Sequence, residues 1–194
     1  MSSQATTYLS PEEYLEIERK ADTKSEYFNG EMFAMSGGTP PHAWITTNVV
    51  GQLWQQLKGK PCRVASSDLR LRVSPTGLYT YPDVMVICGD LQLTDGRKDT
   101  VINPSVIVEV LSESTQDYDR GRKFEHYRTL PSLSDYLMVA QDKPHVEHWM
   151  RQAENRGLLV EYHDLGQMIE IPSIGCLLPM AEIYDKIDWT ATAS

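Results

Sequence analysis

The sequence predicts an α/β fold, a mixed central sheet flanked by helices with additional antiparallel hairpins, and three observations carry that expectation. Two short runs, Val84-Met85-Val86-Ile87 and Ser105-Val106-Ile107-Val108-Glu109-Val110-Leu111, are apolar on both faces, as central strands covered on both sides are. Two longer stretches, behind Ser10-Pro11 and behind Pro40-Pro41, repeat apolar residues at helical spacing. Elsewhere, runs such as Leu69–Val73 and Val146–Met150 alternate strictly, the signature of strands with unlike faces.

In chain order, Ser10-Pro11-Glu12-Glu13 combines a serine cap, a proline in the first turn and a glutamate three residues after the serine, which opens a first helix. Asn29-Gly30 between Tyr27-Phe28 and Met32–Met35 is a hairpin turn, with Glu31 just beyond it. Gly37-Gly38 breaks the chain, and a long helix follows through Ile45, Val49, Leu53 and Leu57, its apolar face broadened by Trp44, Val50 and Trp54 and closed by Gly59. Cys62–Ala65 and Leu69–Val73 read as strands, Ser74-Pro75-Thr76-Gly77 as a turn, and Gly89 to Asn103 as a polar surface loop. After the Glu109 strand, Ser114–Asp117 caps a helix bearing Phe124, Tyr127 and Leu130, stopped by Pro131. Asp135–Ala140, Val146–Met150, Leu158–Tyr162 and Met168–Ile171 complete a meander, and Leu177–Ile187 reads as a closing helix.

The 194 residues suffice for one sizeable core and nothing forces two, so 1–194 reads as a single domain with disordered tips at 1–8 and 190–194. No apolar run approaches the length that crosses a bilayer, and the N-terminus lacks a basic start followed by an apolar core, so neither membrane insertion nor secretion is expected. Cys62, Cys88 and Cys176 are odd in number and far apart, which suggests neither a disulfide framework nor a zinc knuckle; a reducing cytoplasm fits. The net charge of −9 counts against nucleic-acid binding over the whole surface, because phosphate neutralisation supplies most of such affinity.

The chemistry centres on two carboxylates. In the second apolar run Glu109 shares a face with Ile107 and Leu111, so it belongs in the interior, where an isolated ionised carboxylate is costly. A divalent metal shared with Asp83, at the mouth of the other run, would satisfy it, and Mg²⁺ or Mn²⁺ takes such oxygen ligands. Asp119, Lys123 and Tyr127 lie at i, i+4 and i+8 on the following helix, which sets Lys123 between core and cleft. Blander readings stand beside these. Asp83 also fits a turn aspartate after proline, Glu109 a buried ion pair without metal, Lys123 a solvated helix lysine, and His42 a cap or packing residue. Arg70 and Arg72 read as the wet face of a strand or as a phosphate track, and Trp44 and Trp54 as core or interface residues.

Pro82-Asp83, then Glu109 on an apolar strand, then a lysine is similar to the PD-(D/E)XK nuclease superfamily, whose fold is restriction-endonuclease-like. More closely, Tyr81-Pro82-Asp83-Val84, Asn103-Pro104 through Ser112, Tyr118-Asp119-Arg120-Gly121-x-Lys123-Phe124-x-x-Tyr127 and Leu130-Pro131-Ser132-Leu133 resemble the Uma-two family of restriction endonucleases. The Asn29-Gly30-Glu31 turn and Met35-Ser36-Gly37-Gly38-Thr39-Pro40-x-His42 fit it too, so the resemblance covers nearly the whole chain. One departure stands out. The superfamily's usual lysine sits two residues after the glutamate, where this chain has Leu111, and the resemblance implies that Lys123 replaces it from the next helix.

What the resemblance implies is a magnesium- or manganese-dependent endonuclease acting on DNA, with Asp83 and Glu109 as metal ligands and Lys123 orienting or deprotonating the attacking water. Glu31, His42 and Asp68 become accessory candidates, and Arg70, Arg72, Arg120 and Arg122 candidates for holding backbone phosphates. A homodimer is expected, since cutting a duplex takes two sites. Two other functions compete: a catalytically inactive interaction module on the same fold, which the negative charge and displaced lysine favour, and a metal-dependent hydrolase of RNA.

Overall fold

The computed structural model describes residues 8–94, 98–153 and 156–189. The tips expected to be disordered therefore lie outside the described residues, apart from Tyr8, whose ring stands so close over Gly30 that a Cβ there would collide with it.

Most of the elements form where local sequence dictates. Helix α1 (Pro11–Glu18) carries the complete capping box, with Ser10 and Glu13 each bonding the other's backbone N–H. Strands β1 (Ser25–Phe28) and β2 (Glu31–Ala34) flank a turn in which Asn29 and Gly30 both take positive φ, 49° and 86°, as a type I′ hairpin requires. Helix α2 (Pro40–Leu57) buries Ile45, Val49, Leu53 and Leu57, and Gly59 at φ 77° ends its run. Trp44 and Trp54 do not join that stripe, although Val50 packs at its edge; at 52% and 58% exposed they are not core residues.

Strands β3 (Cys62–Ser66), β4 (Arg70–Val73), β5 (Leu78–Thr80), β6 (Val84–Cys88), β7 (Thr100–Val101) and β8 (Val106–Leu111) follow. The expected polar loop 89–103 thus contains a short buried strand, β7, paired in parallel with β4; its residues 95–97 lie outside those described. The helical segment 116–127 is built as α3 (Gln116–Tyr118), a π-helical turn (Asp119–Lys123) and α4 (Phe124–Tyr127). Thr115 stands at its cap position, but its hydroxyl caps no helix N–H and bonds the Ser112 hydroxyl at 2.9 Å. Strands β9 (Asp135–Ala140), β10 (Val146–Arg151), β11 (Gly157–Tyr162), β12 (Met168–Ile171) and β13 (Cys176–Pro179) precede a short α5 (Met180–Ile183). The closing helix is therefore shorter than its sequence suggests. Residues 176–179 pair with β12 as a separate hairpin, and β12 leaves the meander for it.

A six-stranded mixed sheet, order β11-β10-β9-β8-β6-β3, forms the centre, with β8 and β9 parallel and the other neighbours antiparallel. On one face Val84, Val86, Val106, Val108 and Val110 pack under α2, the β12–β13 hairpin and α5. On the other, Met85, Ile87, Ile107 and Leu111 meet Tyr127 of the helical segment, Leu130 just beyond it, and Leu71, Val73 and Leu78 of a second sheet. That sheet, order β2-β1-β5-β4-β7, is covered in turn by α1 through Tyr14, Tyr27 and Tyr79. Both faces of β8 are buried, as its composition predicts.

The cysteines depart from expectation. Antiparallel pairing sets Cys62 of β3 opposite Cys88 of β6, and the two form a disulfide, leaving Cys176 buried and free. Register, not spacing along the chain, brought them together. No helix among the described residues is long and apolar enough to cross a membrane.

Candidate active site

Strands β6 and β8 are adjacent and antiparallel, with Val84 facing Val108, so Asp83 and Glu109 stand opposite each other one step beyond. Facing residues on one side of an antiparallel pair have Cβ atoms about 4.5–5.5 Å apart. The two acids are also tied through the backbone. The Val110 N–H donates to Oδ2 of Asp83 at 2.8 Å, and the Asp83 N–H donates to Oε2 of Glu109 at 3.3 Å. Glu109 is 3% exposed.

The cation arrives from the helical segment. Nζ of Lys123 lies 3.0 Å from Oε1 of Glu109, and the Tyr127 hydroxyl donates to that same oxygen at 2.7 Å. Lys123 also reaches Asp119 at 3.4 Å and Glu26 of β1 at 3.2 Å. Lys123 is 5% exposed, so the solvated-lysine reading is wrong. It closes a π-helical turn, an irregularity frequent at functional sites. There the Asp119 carbonyl accepts the Tyr136 hydroxyl at 3.1 Å, a side chain entering the helix ladder.

Three residues beyond the sequence candidates complete the cluster. Glu26 accepts hydrogen bonds from Thr80 at 2.5 Å and Tyr118 at 3.0 Å; Asp119 and Tyr127 come with the helix face that bears Lys123. No local signal marks Glu26, which follows Ser25 on a short strand; its partners Thr80, Tyr118 and Lys123 come from distant segments. His42, at the start of α2, sits with Nε2 3.2 Å from Oδ2 of Asp83, so it is a partner of the site and not merely a packing residue.

The electrostatics are unbalanced. Among the described residues Glu26, Asp83, Glu109 and Asp119 surround one ammonium, Lys123, and one imidazole, His42. Burial pushes Glu109 up to about 8; Lys123 pulls against it, while the neighbouring Asp83 and Asp119 add to the rise. Burial likewise raises Asp119, against the pull of Lys123. Lys123 itself goes well above the usual lysine value, since the carboxylates around it outweigh its burial, and it stays an ammonium. Burial works against the charged form of His42, yet its hydrogen bond to Asp83 and that residue's charge leave it raised. An all-oxygen donor set with surplus negative charge fits a hard divalent cation. Asp83 and Glu109 would hold it, and among the described residues Oδ1 of Asp83 has no hydrogen-bond donor.

These residues line a cleft of about 790 Å³, whose far wall is Phe28, Phe33 and Met35 of the β1–β2 hairpin. Arg122 stands exposed at its rim.

The other sequence candidates go elsewhere. Arg70 is buried, donating to the Tyr81 hydroxyl at 2.8 Å and to Thr100 at 3.2 Å, with Asp99 at 3.7 Å. Arg72 is half-buried and bonds Thr94. Neither is a wet face or a phosphate track, because α1 covers the side of β4 that alternation assigned to water, with Arg70 beneath the Tyr14 ring. Arg120 is taken up by Glu147 at 2.6 Å and Gln116 at 2.8 Å. Asp68 is exposed beside Lys24, and Glu31 is exposed on β2; neither lines the cleft.

Comparison with known proteins identifies the family and the fold. The family Uma2, described as "Putative restriction endonuclease", matches residues 11–181. An uncharacterized protein of Synechocystis sp., slr1290, is 36% identical over 178 residues, covering 91% of each chain. A second from the same organism, sll1609, is 37% identical over 166 residues, covering 86% of this chain and 93% of its own. A crystal structure described as "a putative nuclease belonging to DUF820" from Anabaena variabilis superposes with a TM-score of 0.71 at 16% identity, covering 89% of this chain and 96% of that one. That likeness shows the fold.

Proposed function

That the chain belongs to the Uma2 family is the premise from which we propose its function: metal-dependent endonucleolytic hydrolysis of phosphodiester bonds in DNA, carried by Asp83, Glu109 and Lys123. One observation supports the reading above the rest. A buried lysine reaches from a separate helix to within 3.0 Å of a strand glutamate whose cross-strand neighbour is a second carboxylate. A purely structural ion pair needs one acid, and this lysine is surrounded by Glu26, Glu109 and Asp119, with Asp83 beside them.

Asp83 and Glu109 would hold Mg²⁺ or Mn²⁺, which when bound polarises a phosphoryl oxygen and lowers the pKa of water. Asp83 is fixed for this by the Val110 N–H and by His42, and Glu109 by Tyr127. Lys123 orients the attacking water and sets a fixed positive charge where the phosphorane gains negative charge. Because the surrounding carboxylates hold it as an ammonium, it is not the group that removes the water's proton. Arg122, exposed at the rim, is the arginine of the original four that remains available to a backbone phosphate. The reading keeps a homodimer as the cutting unit, which analytical ultracentrifugation tests.

The decisive assay incubates the purified chain with supercoiled DNA, linear DNA and RNA, with and without Mg²⁺ or Mn²⁺, beside Asp83→Ala and Lys123→Ala. Metal-dependent nicking of DNA, lost in both variants while their circular dichroism is unchanged, is the expected result. Metal uptake without turnover on any substrate would overturn it.

A further inference from the structure

A second set of metal-ligating side chains lies away from the cleft, at the outer edge of the six-stranded sheet. The β10–β11 register sets Val146 opposite Tyr162, so His145 and His163 face each other one step beyond. Glu161, two residues before His163, points to the same side. Nε2 of His145 lies 3.0 Å from Oε2 of Glu161, and Nε2 of His163 lies 3.4 Å from the same oxygen. The two imidazoles stack at 4.5 Å between centroids, 14° from parallel, and the three donor atoms all fall within 4.8 Å of one another.

We propose that His145, Glu161 and His163 form a binding site for a zinc-class divalent cation, distinct from the site in the cleft. The donor set decides the class. Two imidazole nitrogens with one carboxylate oxygen suit Zn²⁺ and its borderline neighbours, whereas the all-oxygen cleft suits a hard ion. Tetrahedral zinc, with bonds of about 2.0–2.1 Å, separates its ligand atoms by about 3.3 Å. Two of the three separations here, 3.0 and 3.4 Å, already stand at that value.

The backbone that presents the donors is held in place. The His145 carbonyl accepts from the Tyr184 hydroxyl at 2.8 Å and the Ala140 N–H at 2.9 Å. The His163 and Asp164 N–H groups both donate to the Gln167 side chain, at 2.8 and 2.9 Å. Glu161 and His163 are exposed, so the fourth position faces solvent and water completes the tetrahedron. An ion there cross-links β10 to β11, the edge strand that carries the exposed Leu158 and Leu159.

The test is calorimetric titration of the metal-free full chain with Zn²⁺ in excess Mg²⁺, with thermal melting as a second readout. The wild type and Asp83→Asn each take up one tight equivalent and melt higher with zinc. His163→Ala and Glu161→Ala, both at exposed positions, melt as the wild type does without zinc. Their zinc affinity falls by more than the roughly 10–100-fold that follows loss of an outer-shell partner, and zinc no longer raises their melting. Absence of zinc uptake, uptake unchanged in His163→Ala and Glu161→Ala, or uptake lost in Asp83→Asn alone would each overturn the site. None of these outcomes bears on cleavage in the cleft, which the DNA assay reads separately.

Discussion

Two buried charge clusters sit on opposite sides of Tyr81 and Thr80, and they treat their acids in opposite ways. Beneath α1, Arg70 bonds the Tyr81 hydroxyl, which donates to Glu18 at 2.9 Å, while Arg19 grips Asp99 at 2.6 and 3.0 Å. Arginines there match the acids in number, and the hydrogen bond from Arg19 holds Asp99 down at about 2. In the cleft, four carboxylates share Lys123 and His42, and burial drives Glu109 up to about 8. A balanced cluster is structure. An unbalanced one, placed at the mouth of two strands beside open space, has the charge surplus that our proposed metal would offset.

Experiments that disturb each cluster sharpen this contrast, and the largest effect belongs to the balanced one. Arg70→Met removes two buried charge-assisted hydrogen bonds, to Tyr81 and Thr100, each worth about 1.5–3 kcal/mol, a loss read by urea unfolding. DNA cleavage per folded molecule stays unchanged, and a loss of DNA affinity without loss of stability would restore Arg70 to the substrate track.

Next comes the cleft. Asp83→Asn or Lys123→Met lowers the cleavage rate by about 10²–10³-fold, some 2.7–4 kcal/mol of transition-state stabilisation. Equal rates in wild type and both variants would make the cleft structural after all.

A somewhat smaller effect links metal to stability. Mn²⁺ at about 100 times its dissociation constant adds about 2.7 kcal/mol to the wild type and nothing to Asp83→Asn. The pH dependence follows from Glu109. Its folded value lies above the ordinary 4.5, so between 4.5 and about 8 the metal-free protein keeps a proton that the unfolded chain has released. Metal-free stability therefore falls as pH rises through that window, and the stabilisation by metal grows, because the ion no longer competes with the proton. Melting curves at pH 6 and pH 8, with and without Mn²⁺, check both signs.

The smallest effect is again in the balanced cluster. Asp99 is depressed, so the stability it contributes is present above pH 3.8 and lost as pH falls toward 2. Its side chain is 35% exposed, and Asp99→Asn costs about 1 kcal/mol or less at neutral pH. The variant should flatten the acid limb of the unfolding curve without touching the response to metal.

Much of this was legible in advance where the cause is local. The capping box of α1, the Asn29-Gly30 turn and the two-sided burial of β8 each follow from residues within a few positions, and so did the interior place of Glu109. Lys123, Asp119 and Tyr127 were readable as one helix face, which the π-helical turn did not displace. Glu26, Arg70 and the Cys62–Cys88 pair were not. A strand's alternation tells which residues share a face, but not whether another layer covers it, and α1 covers the side of β4 that looked wet.

The sequence alone determined most of the elements, the buried faces of β8 and the shared face of Asp119, Lys123 and Tyr127, because helix and strand periodicity, caps and turns are set by neighbours along the chain. Only the tertiary structure decided who meets whom. The register of β6 against β8 put Asp83 beside Glu109, and the layering of β1 over the helical segment brought Glu26 to Lys123. The pairing of β3 with β6 joined two cysteines 26 residues apart. Contacts between distant segments depend on how layers stack and which strands pair, and no short stretch of chain carries that information by itself.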